Sequence, residues 1–163
     1  IEKGCDQATE KRVLENSSLA GIWNHLYLFF GFPTEEKHEA QETIDFTVQH
    51  SELGDGTIHS VGQSVFSLEK DSAIYHDPAK FQINRILRDP ERDMAIIFDY
   101  EIEKGMTKDE VLDVYENFDK TIESNFPSRK TWNYLSREHF LLYLDHYGRE
   151  EILNMTRPLV QST

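Results

Sequence analysis

Alternation of apolar and polar residues is the main pattern of the chain between Gly21 and Ile102. Several segments there repeat with a period of two, which is typical of β-strands. They are 23–30, 43–49, 57–68, 81–87 and 94–102. Asp55-Gly56 separates the second segment from the third, and Asp-Gly is a strong hairpin signal. Because no long crossover helix is indicated before residue 105, we expect an antiparallel meander rather than a parallel α/β sheet.

The pattern becomes helical after Gly105. Thr107-Lys108-Asp109-Glu110 fits a capping box. Val111, Tyr115, Phe118 and Ile122 then recur every three or four residues, which predicts a helix over 107–122, although the β-branched and aromatic stretch 111–118 could also form a strand.

The rest of the chain divides simply. A last strand is predicted at 131–136 and a helix at 138–147. Residues 1–18 are polar and read as an arm or a short helix, and residues 19–163 as a single domain.

Composition narrows the function classes. The 163 residues carry 17 basic and 30 acidic side chains, a formal net charge of −13. Such a chain repels phosphate backbones and acidic lipid surfaces, so neither nucleic acid nor a membrane is an expected partner. The longest apolar run is shorter than the about 20 residues that a membrane-spanning helix needs. Aromatic residues make up 12% of the chain, which argues against disorder.

Candidate catalytic and metal chemistry finds little support in the sequence. The seven histidines lack the spacings typical of metal ligands, and no nucleophile motif or phosphate-binding loop occurs. We therefore predict no catalytic residue, no metal and no cofactor. Asp45, Asp99 and Glu101 are the carboxylates that could face a cavity, where a buried acid would pair with a cationic ligand.

Three short motifs occur in the order found in one family. They are Gly21-Ile22-Trp23, Phe98-Asp99-Tyr100-Glu101 with Asp77-Pro78 before it, and Trp132-Asn133-Tyr134-Leu135-Ser136-Arg137. Together they resemble the lipocalins. The resemblance implies a mostly β fold: an eight-stranded antiparallel up-and-down barrel with a C-terminal α-helix, here with an extra helix at 107–122. It also implies that Trp23 packs across the closed end of the barrel with Arg137 stacked against it.

The resemblance implies a secreted carrier or scavenger of a small hydrophobic ligand such as a fatty acid, retinoid, pheromone or tetrapyrrole. The aromatic and apolar wall candidates are Tyr27, Phe46, Val48, Phe66, Phe81, Ile96, Phe98 and Tyr100. One alternative is a binder of small amines such as histamine in the same barrel. The rival from another class is a cone-shaped α+β dehydratase or isomerase, with a His and an Asp facing across an apolar pocket. A helix content well above a quarter would favour that rival over the barrel.

Secretion has its own sequence signals. Asn16-Ser17-Ser18 and Asn154-Met155-Thr156 match the glycosylation sequon, and both asparagines are predicted to face solvent. Cys5 is the single cysteine, so no internal disulfide can form. In a secreted chain it is expected either to stay free or to link two chains into a homodimer.

Overall fold

Helices contribute more of the structure than strands do. The computed structural model describes residues 6–88, 94–127 and 137–156. Within them about 50% of the residues are helical and 19% lie in strands. In chain order the elements are α1 (Gln7–Leu19), β1 (His25–Phe30), α2 (Lys37–Gln49), β2 (Ser60–Val65), β3 (Leu68–Glu69), α3 (Ala73–His76), a 3-10 helix (Pro78–Phe81), β4 (Ile83–Leu87), β5 (Ile97–Ile102), α4 (Lys108–Asn125) and α5 (Arg137–Thr156).

The predicted barrel is wrong. The described strands form one sheet of β1 and β2 and a second sheet in the order β3-β5-β4, and neither closes on itself. The mostly β fold class and the eight-stranded topology are therefore corrected to a mixed α/β structure with small sheets. Helix content exceeds a quarter, which also counts against the barrel, but the cone-shaped rival needs one curved sheet that these strands do not form. The lipocalin-like motifs are too short to dictate strand pairing.

The predicted strand at 43–49 is in fact part of helix α2, and the predicted hairpin that follows it is also wrong. Ala40, Ile44 and Thr47 are buried, and their spacing of four and three is the helical one. The apolar positions over 43–49 fit both the period of two of a strand and the 3.6-residue period of a helix, because a segment this short does not distinguish the two. Asp55-Gly56 lies in the loop from α2 to β2 rather than between paired strands.

Strands β1 and β2 run parallel, contrary to the expected meander. Hydrogen bonds join Asn24 O to the amides of His59 and Ser60, and Phe30 O to the amide of Phe66. Residue numbers therefore rise in the same direction along both strands. A parallel pair needs a crossover connection, and α2 supplies the crossover helix whose absence had been predicted.

Several local predictions are confirmed. The capping box forms, since the Thr107 amide donates to Glu110 Oε2 over 2.9 Å and the Glu110 amide donates to Thr107 Oγ1 over 3.3 Å. Helix α4 follows directly. The strand predicted at 94–102 contains β5, and the C-terminal helix contains a non-helical Gly148 where the pattern predicted its end. The strand predicted at 131–136 lies outside the described residues.

The described chain divides into two compact units. The first unit has described residues 6–26, 46–61, 119–127 and 137–156. The second unit has described residues 27–45, 62–88 and 94–118.

Apolar burial and one polar side chain organise the first unit. Its buried apolar side chains are Leu14, Ile58, Ile122, Phe126 and Ile152. Asn24 donates its side-chain amide to Leu14 O over 3.1 Å and to Thr57 O over 2.8 Å, and its Oδ1 accepts from Ser17 Oγ over 2.7 Å. The Asn24 side chain thus joins Leu14 and Ser17 of α1 to Thr57, which precedes the buried Ile58.

The second unit has an apolar core of its own. Its buried apolar side chains are Phe30, Ala40, Ile44, Leu68, Ile83, Met106, Val111 and Phe118. The rings of Phe30 and Phe118 meet edge to face with centroids 5.1 Å apart, a geometry that aromatic pairs favour. Both rings are fully buried, so β1 and α4 are held together in this unit by direct aromatic packing.

Removing the Asn24 side chain is expected to destabilise the protein. N24A leaves the carbonyls of Leu14 and Thr57 without this donor, which should lower the free energy of unfolding by about 1–3 kcal/mol. N16A, at an exposed position of α1, is the matched control and should change it by less than about 0.5 kcal/mol. Urea unfolding of both variants measures the difference. Equal stability of N24A and N16A would show that Asn24 does not hold these segments together.

Candidate functional site

A pocket of about 400 Å³ lies in the second unit. One wall comes from the segment that joins β2 to β3, with Val65, Phe66 and Leu68 as its apolar side chains. Another wall is β5, which contributes residues from Ile97 to Ile102. The third wall is the beginning of α4 and the residue before its cap, with Met106, Val111 and Leu112. The lining is therefore mainly aliphatic and aromatic.

The pocket lies beside β5, next to the short strand β3. β3 pairs with β5 antiparallel through Leu68 opposite Phe98 and Glu69 opposite Ile97. On its other edge β5 pairs with β4 as far as Ile102. Tyr100 and Ile102 line the pocket beyond the end of the β3 pairing, opposite the lining residues Val65 and Phe66 that precede β3.

Gly31 lets α4 approach the end of β1. A Cβ atom built on Gly31 would lie 2.7 Å from Val111 Cγ1 and 2.9 Å from Val111 Cγ2, which is closer than real carbon atoms pack. Gly31 also has a φ of +83°, in the left-handed region that other residues avoid. Two separate requirements therefore favour glycine at this corner of the pocket.

Tyr100 brings a hydroxyl group to the same corner. Its Oη donates to Gly31 O over a long 3.4 Å. Burial raises the pKa of the Tyr100 hydroxyl, and the nearby Asp99 carboxylate raises it further. The group therefore stays protonated and can act as a neutral donor or acceptor toward a ligand. Its ring contacts Phe66 edge to face at 5.9 Å, so the polar group stands at the end of an aromatic wall.

Asp99 and Lys108 are the charged side chains of the pocket lining. Lys108 Nζ lies 2.5 Å from Asp99 Oδ1. The side chains are 69% exposed for Asp99 and 66% exposed for Lys108, so water screens the pair. An ion pair of this exposure contributes about 0–1 kcal/mol and opens at little cost.

Glu35 is a half-buried carboxyl group next to the pocket corner. It accepts the amide of Gly31 at 2.6 Å. Burial raises the pKa of Glu35, although the amides of Gly31 and Phe32 act in the opposite direction, and the neighbouring charge of Glu39 raises it a little more. The backbone of Glu35 is also held, because its carbonyl accepts the amide of Met106 over 2.9 Å.

The predicted wall residues are only partly brought together. Phe66, Phe98 and Tyr100 line the pocket. Tyr27 and Ile96 do not line it and are 75% and 70% exposed.

The remaining wall candidates lie elsewhere. Phe81 packs its ring against Phe32 at 6.0 Å. Phe46 and Val48 lie on α2 in the first unit, where the Phe46 ring contacts His50 at 4.5 Å. The alternation pattern misassigned these two residues because it treated a helix as a strand.

Several lining residues were not predicted from the sequence. Gly31, Leu68, Met106, Lys108, Val111 and Leu112 are the ones that matter most here. The capping box at Thr107 had located the start of α4, and Val111 had been placed on its apolar face. Nothing in the local pattern indicated that this face lies against Gly31 or that Lys108 reaches Asp99.

The residues named for the lipocalin-like motifs have other surroundings. Trp23 stacks on His59 with ring centroids 5.7 Å apart and an interplanar angle of 12°. Gly21 has a φ of +76° and lies near the Arg149 guanidinium. The Arg137 side chain is outside the described residues, so its predicted stacking on Trp23 is not tested.

The two predicted glycosylation sites lie on helices. Asn16 is exposed on α1. Asn154 lies on α5, and its side chain is outside the described residues, as is Cys5. Attachment of sugar and linkage through Cys5 therefore stay predictions.

The other acidic candidates do not line the pocket. Asp45 accepts a hydrogen bond from Gln41 at 2.8 Å on the exposed face of α2, and Glu101 is exposed on β5. Both carboxylates are exposed, so neither lies in a desolvated setting that would need a cationic ligand.

A His–Asp pair does occur, in the first unit. His50 is 1% exposed, and its Nδ1 lies 2.6 Å from Asp55 Oδ2. Thr57 donates its hydroxyl to Asp55 Oδ1 over 2.7 Å. Burial pushes the pKa of Asp55 upward, but the hydrogen bonds from Thr57 and His50 outweigh it and lower the pKa. The pair fastens the loop between α2 and β2 and does not line the pocket, unlike the His and Asp of the cone-shaped enzyme hypothesis.

Neither known proteins nor the other side chains of the described residues indicate a further site. The sequence matches no protein-family model, and neither curated proteins nor solved structures give a significant match. Among the described residues, no group of three or more His, Cys, Asp or Glu side chains could hold a metal ion. Nor does any helix in the described ranges have the length and apolar character needed to cross a membrane.

Adding a methyl group at Gly31 is expected to be more damaging than at another glycine of the same φ. G31A should lower the free energy of unfolding by about 2–5 kcal/mol, from left-handed backbone strain and the clash with Val111. G56A is the control, since Gly56 has a φ of +75° with nothing within 4 Å of its added Cβ, and should cost about 1–2 kcal/mol. The loss in G31A/V111A should be smaller than the sum of the single losses. Equal losses for G31A and G56A in urea unfolding would contradict the close packing.

The raised pKa of Glu35 predicts a specific pH dependence. Above that pKa the folded protein holds a partly desolvated charge, so E35Q should be more stable than the original chain at pH 7. As pH falls through the raised pKa and below the ordinary 4.5, the folded state gains the proton more readily than the unfolded state. The advantage of E35Q should therefore shrink. E42Q, at an exposed carboxylate of α2, controls for net charge, and an E35Q advantage that is constant between pH 7 and pH 4 would contradict the prediction.

Proposed function

We propose that this protein binds a small, largely apolar ligand in the pocket of the second unit. The observation that supports it is the pocket itself: about 400 Å³, bounded mainly by apolar side chains with a few polar groups among them. Ligand sites are typically concavities of about 300–1,000 Å³ with that composition. The ligand class is the one expected from the sequence, but the site is a groove beside a short sheet rather than the interior of a barrel.

The exposure of the lining supports a ligand rather than a filled core. Val65, Ile97 and Leu112 are apolar, line the pocket and are exposed. Apolar groups gathered at one concavity are typical of binding surfaces. Each Å² of apolar surface that the ligand and the lining remove from water contributes roughly 25 cal/mol. We expect affinities in the micromolar range, which correspond to a net binding free energy of about −8 kcal/mol.

Secretion and carriage are part of the same proposal. They rest on the two sequons, of which Asn16 is exposed. A carrier or scavenger needs a site that holds an apolar molecule reversibly and carries out no chemistry on it. The lining residues that the structure describes include no histidine or cysteine, which is in keeping with such a role.

Filling the pocket should abolish binding without unfolding the protein. Nile red, a neutral dye that fluoresces in apolar surroundings, should bind saturably at micromolar concentration. Ser67 lines the pocket and is exposed, so S67W should place an indole in it and weaken binding by about tenfold or more. S64W changes an exposed serine of β2 outside the lining and should bind as the original chain does. No saturable binding, or equal binding by S67W and S64W, would refute the proposed site.

A further inference from the structure

We infer that the preferred ligand carries a protonated amine, which takes the place of Lys108 beside Asp99. The inference rests on the proposed function and names its ligand class. Among the described residues, Asp99 is the single carboxylate of the pocket lining, and Lys108 Nζ lies 2.5 Å from its Oδ1. The resident ammonium group thus marks a cation position at the edge of an apolar pocket.

The ion pair can exchange partners at low cost. Both side chains are more than 60% exposed, and Lys108 lies at the first residue of α4 with a long flexible stem. When its ammonium moves away, water can solvate it there. A ligand ammonium can then take the position of the Lys108 ammonium beside Asp99 Oδ1, while the apolar part of the ligand covers the pocket lining. The exchange leaves no charge both buried and unpaired.

The aromatic lining favours a cation over a neutral head group. Phe66, Phe98 and Tyr100 all line the pocket. Aromatic ring faces are negative and attract an ammonium group placed within about 6 Å of a centroid. The Tyr100 hydroxyl, which stays protonated, offers lone pairs to an N–H donor in the same region.

The charges around the pocket disfavour an acidic ligand. Among the described lining residues, Lys108 is the one cation that could neutralise a ligand carboxylate, and the ligand would have to compete with Asp99 for it. Asp109 and Glu110 follow directly in the first turn of α4, and the whole chain carries a net charge of −13. This field attracts cations and repels anions at low salt. The charges and the aromatic walls therefore favour the same ligand class.

A matched series of ligands tests the head group separately from the apolar tail. Phenylbutylamine, phenylbutanol and phenylbutyrate share one tail and differ in charge. Displacement of Nile red measures all three. We expect the amine to bind about threefold tighter than the alcohol, and the acid to bind weaker than the alcohol. Raising the salt to about 1 M should reduce the preference for the amine, because the Debye length falls to about 3 Å.

Two variants assign the preference to the ion pair. D99N should weaken amine binding by about fivefold and leave alcohol binding within twofold. D109N removes the same charge from a residue outside the lining and should keep most of the amine preference. K108Q removes the competing cation and should strengthen amine binding, whereas K70Q, at an exposed lysine outside the lining, should not.

The outcomes separate this inference from the proposed function. If S67W abolishes binding of the alcohol, but the amine binds the original chain no tighter than the acid does, the proposed binding site is supported and the amine inference is overturned. The same conclusion follows if D99N and D109N weaken amine binding equally. If the alcohol and Nile red do not bind at all, the proposed function itself fails. Alcohol affinity also confirms that each variant is folded, so a loss limited to the amine supports the inference.

Discussion

The close approach of α4 to Gly31 is the constraint on which the second unit depends. Val111 occupies the space that any side chain at residue 31 would need, and both residues line the pocket. The amide and carbonyl of Gly31 are used as well, by Glu35 Oε2 and by the Tyr100 hydroxyl. One residue without a side chain therefore positions a helix, a carboxylate and a phenol.

The surrounding backbone is unusual in the same region. Thr34 has a φ of +84°, which is rare for a β-branched residue, and Gly105 has a φ of +116° with its Cβ direction only 3.0 Å from the Thr34 amide. Strained conformations of this kind persist where the surrounding packing enforces them, and they cluster at functional sites. Here the packing brings the chain after β1 against the chain before α4. The partly buried Glu35 adds an electrostatic cost at the same corner.

The pocket combines this ordered corner with an open rim. The apolar side chains at the rim are exposed, and the ion pair of Asp99 and Lys108 is accessible to water. A ligand can therefore enter without displacing core residues, and the polar groups that orient it are held by a capped helix and a paired strand. A mostly apolar concavity with a few placed polar groups is the composition typical of small-molecule sites.

Features that depend on near neighbours in the chain were predictable from the sequence. The capping box of Thr107 and Glu110, the helix that follows it and the apolar face of β5 that carries Phe98 and Tyr100 were all predicted. The capping box is stabilised by hydrogen bonds within about four residues, and the helix and the strand are each indicated by a repeat within one segment. The net charge of −13 and the classes of partner that it disfavours follow from composition alone.

Features that depend on distant partners were decided only by the tertiary structure. The segment 43–49 fits the period of a helix as well as that of a strand. It forms part of α2, the crossover helix between β1 and β2, and that role depends on the pairing of these two strands. The packing of Val111 on Gly31 joins residues that no local pattern relates. For the same reason Lys108 could be placed at the start of a helix but not beside Asp99. The sequence thus determined single elements by local hydrogen bonds and periodicity, while packing between distant segments decided the topology and the pocket.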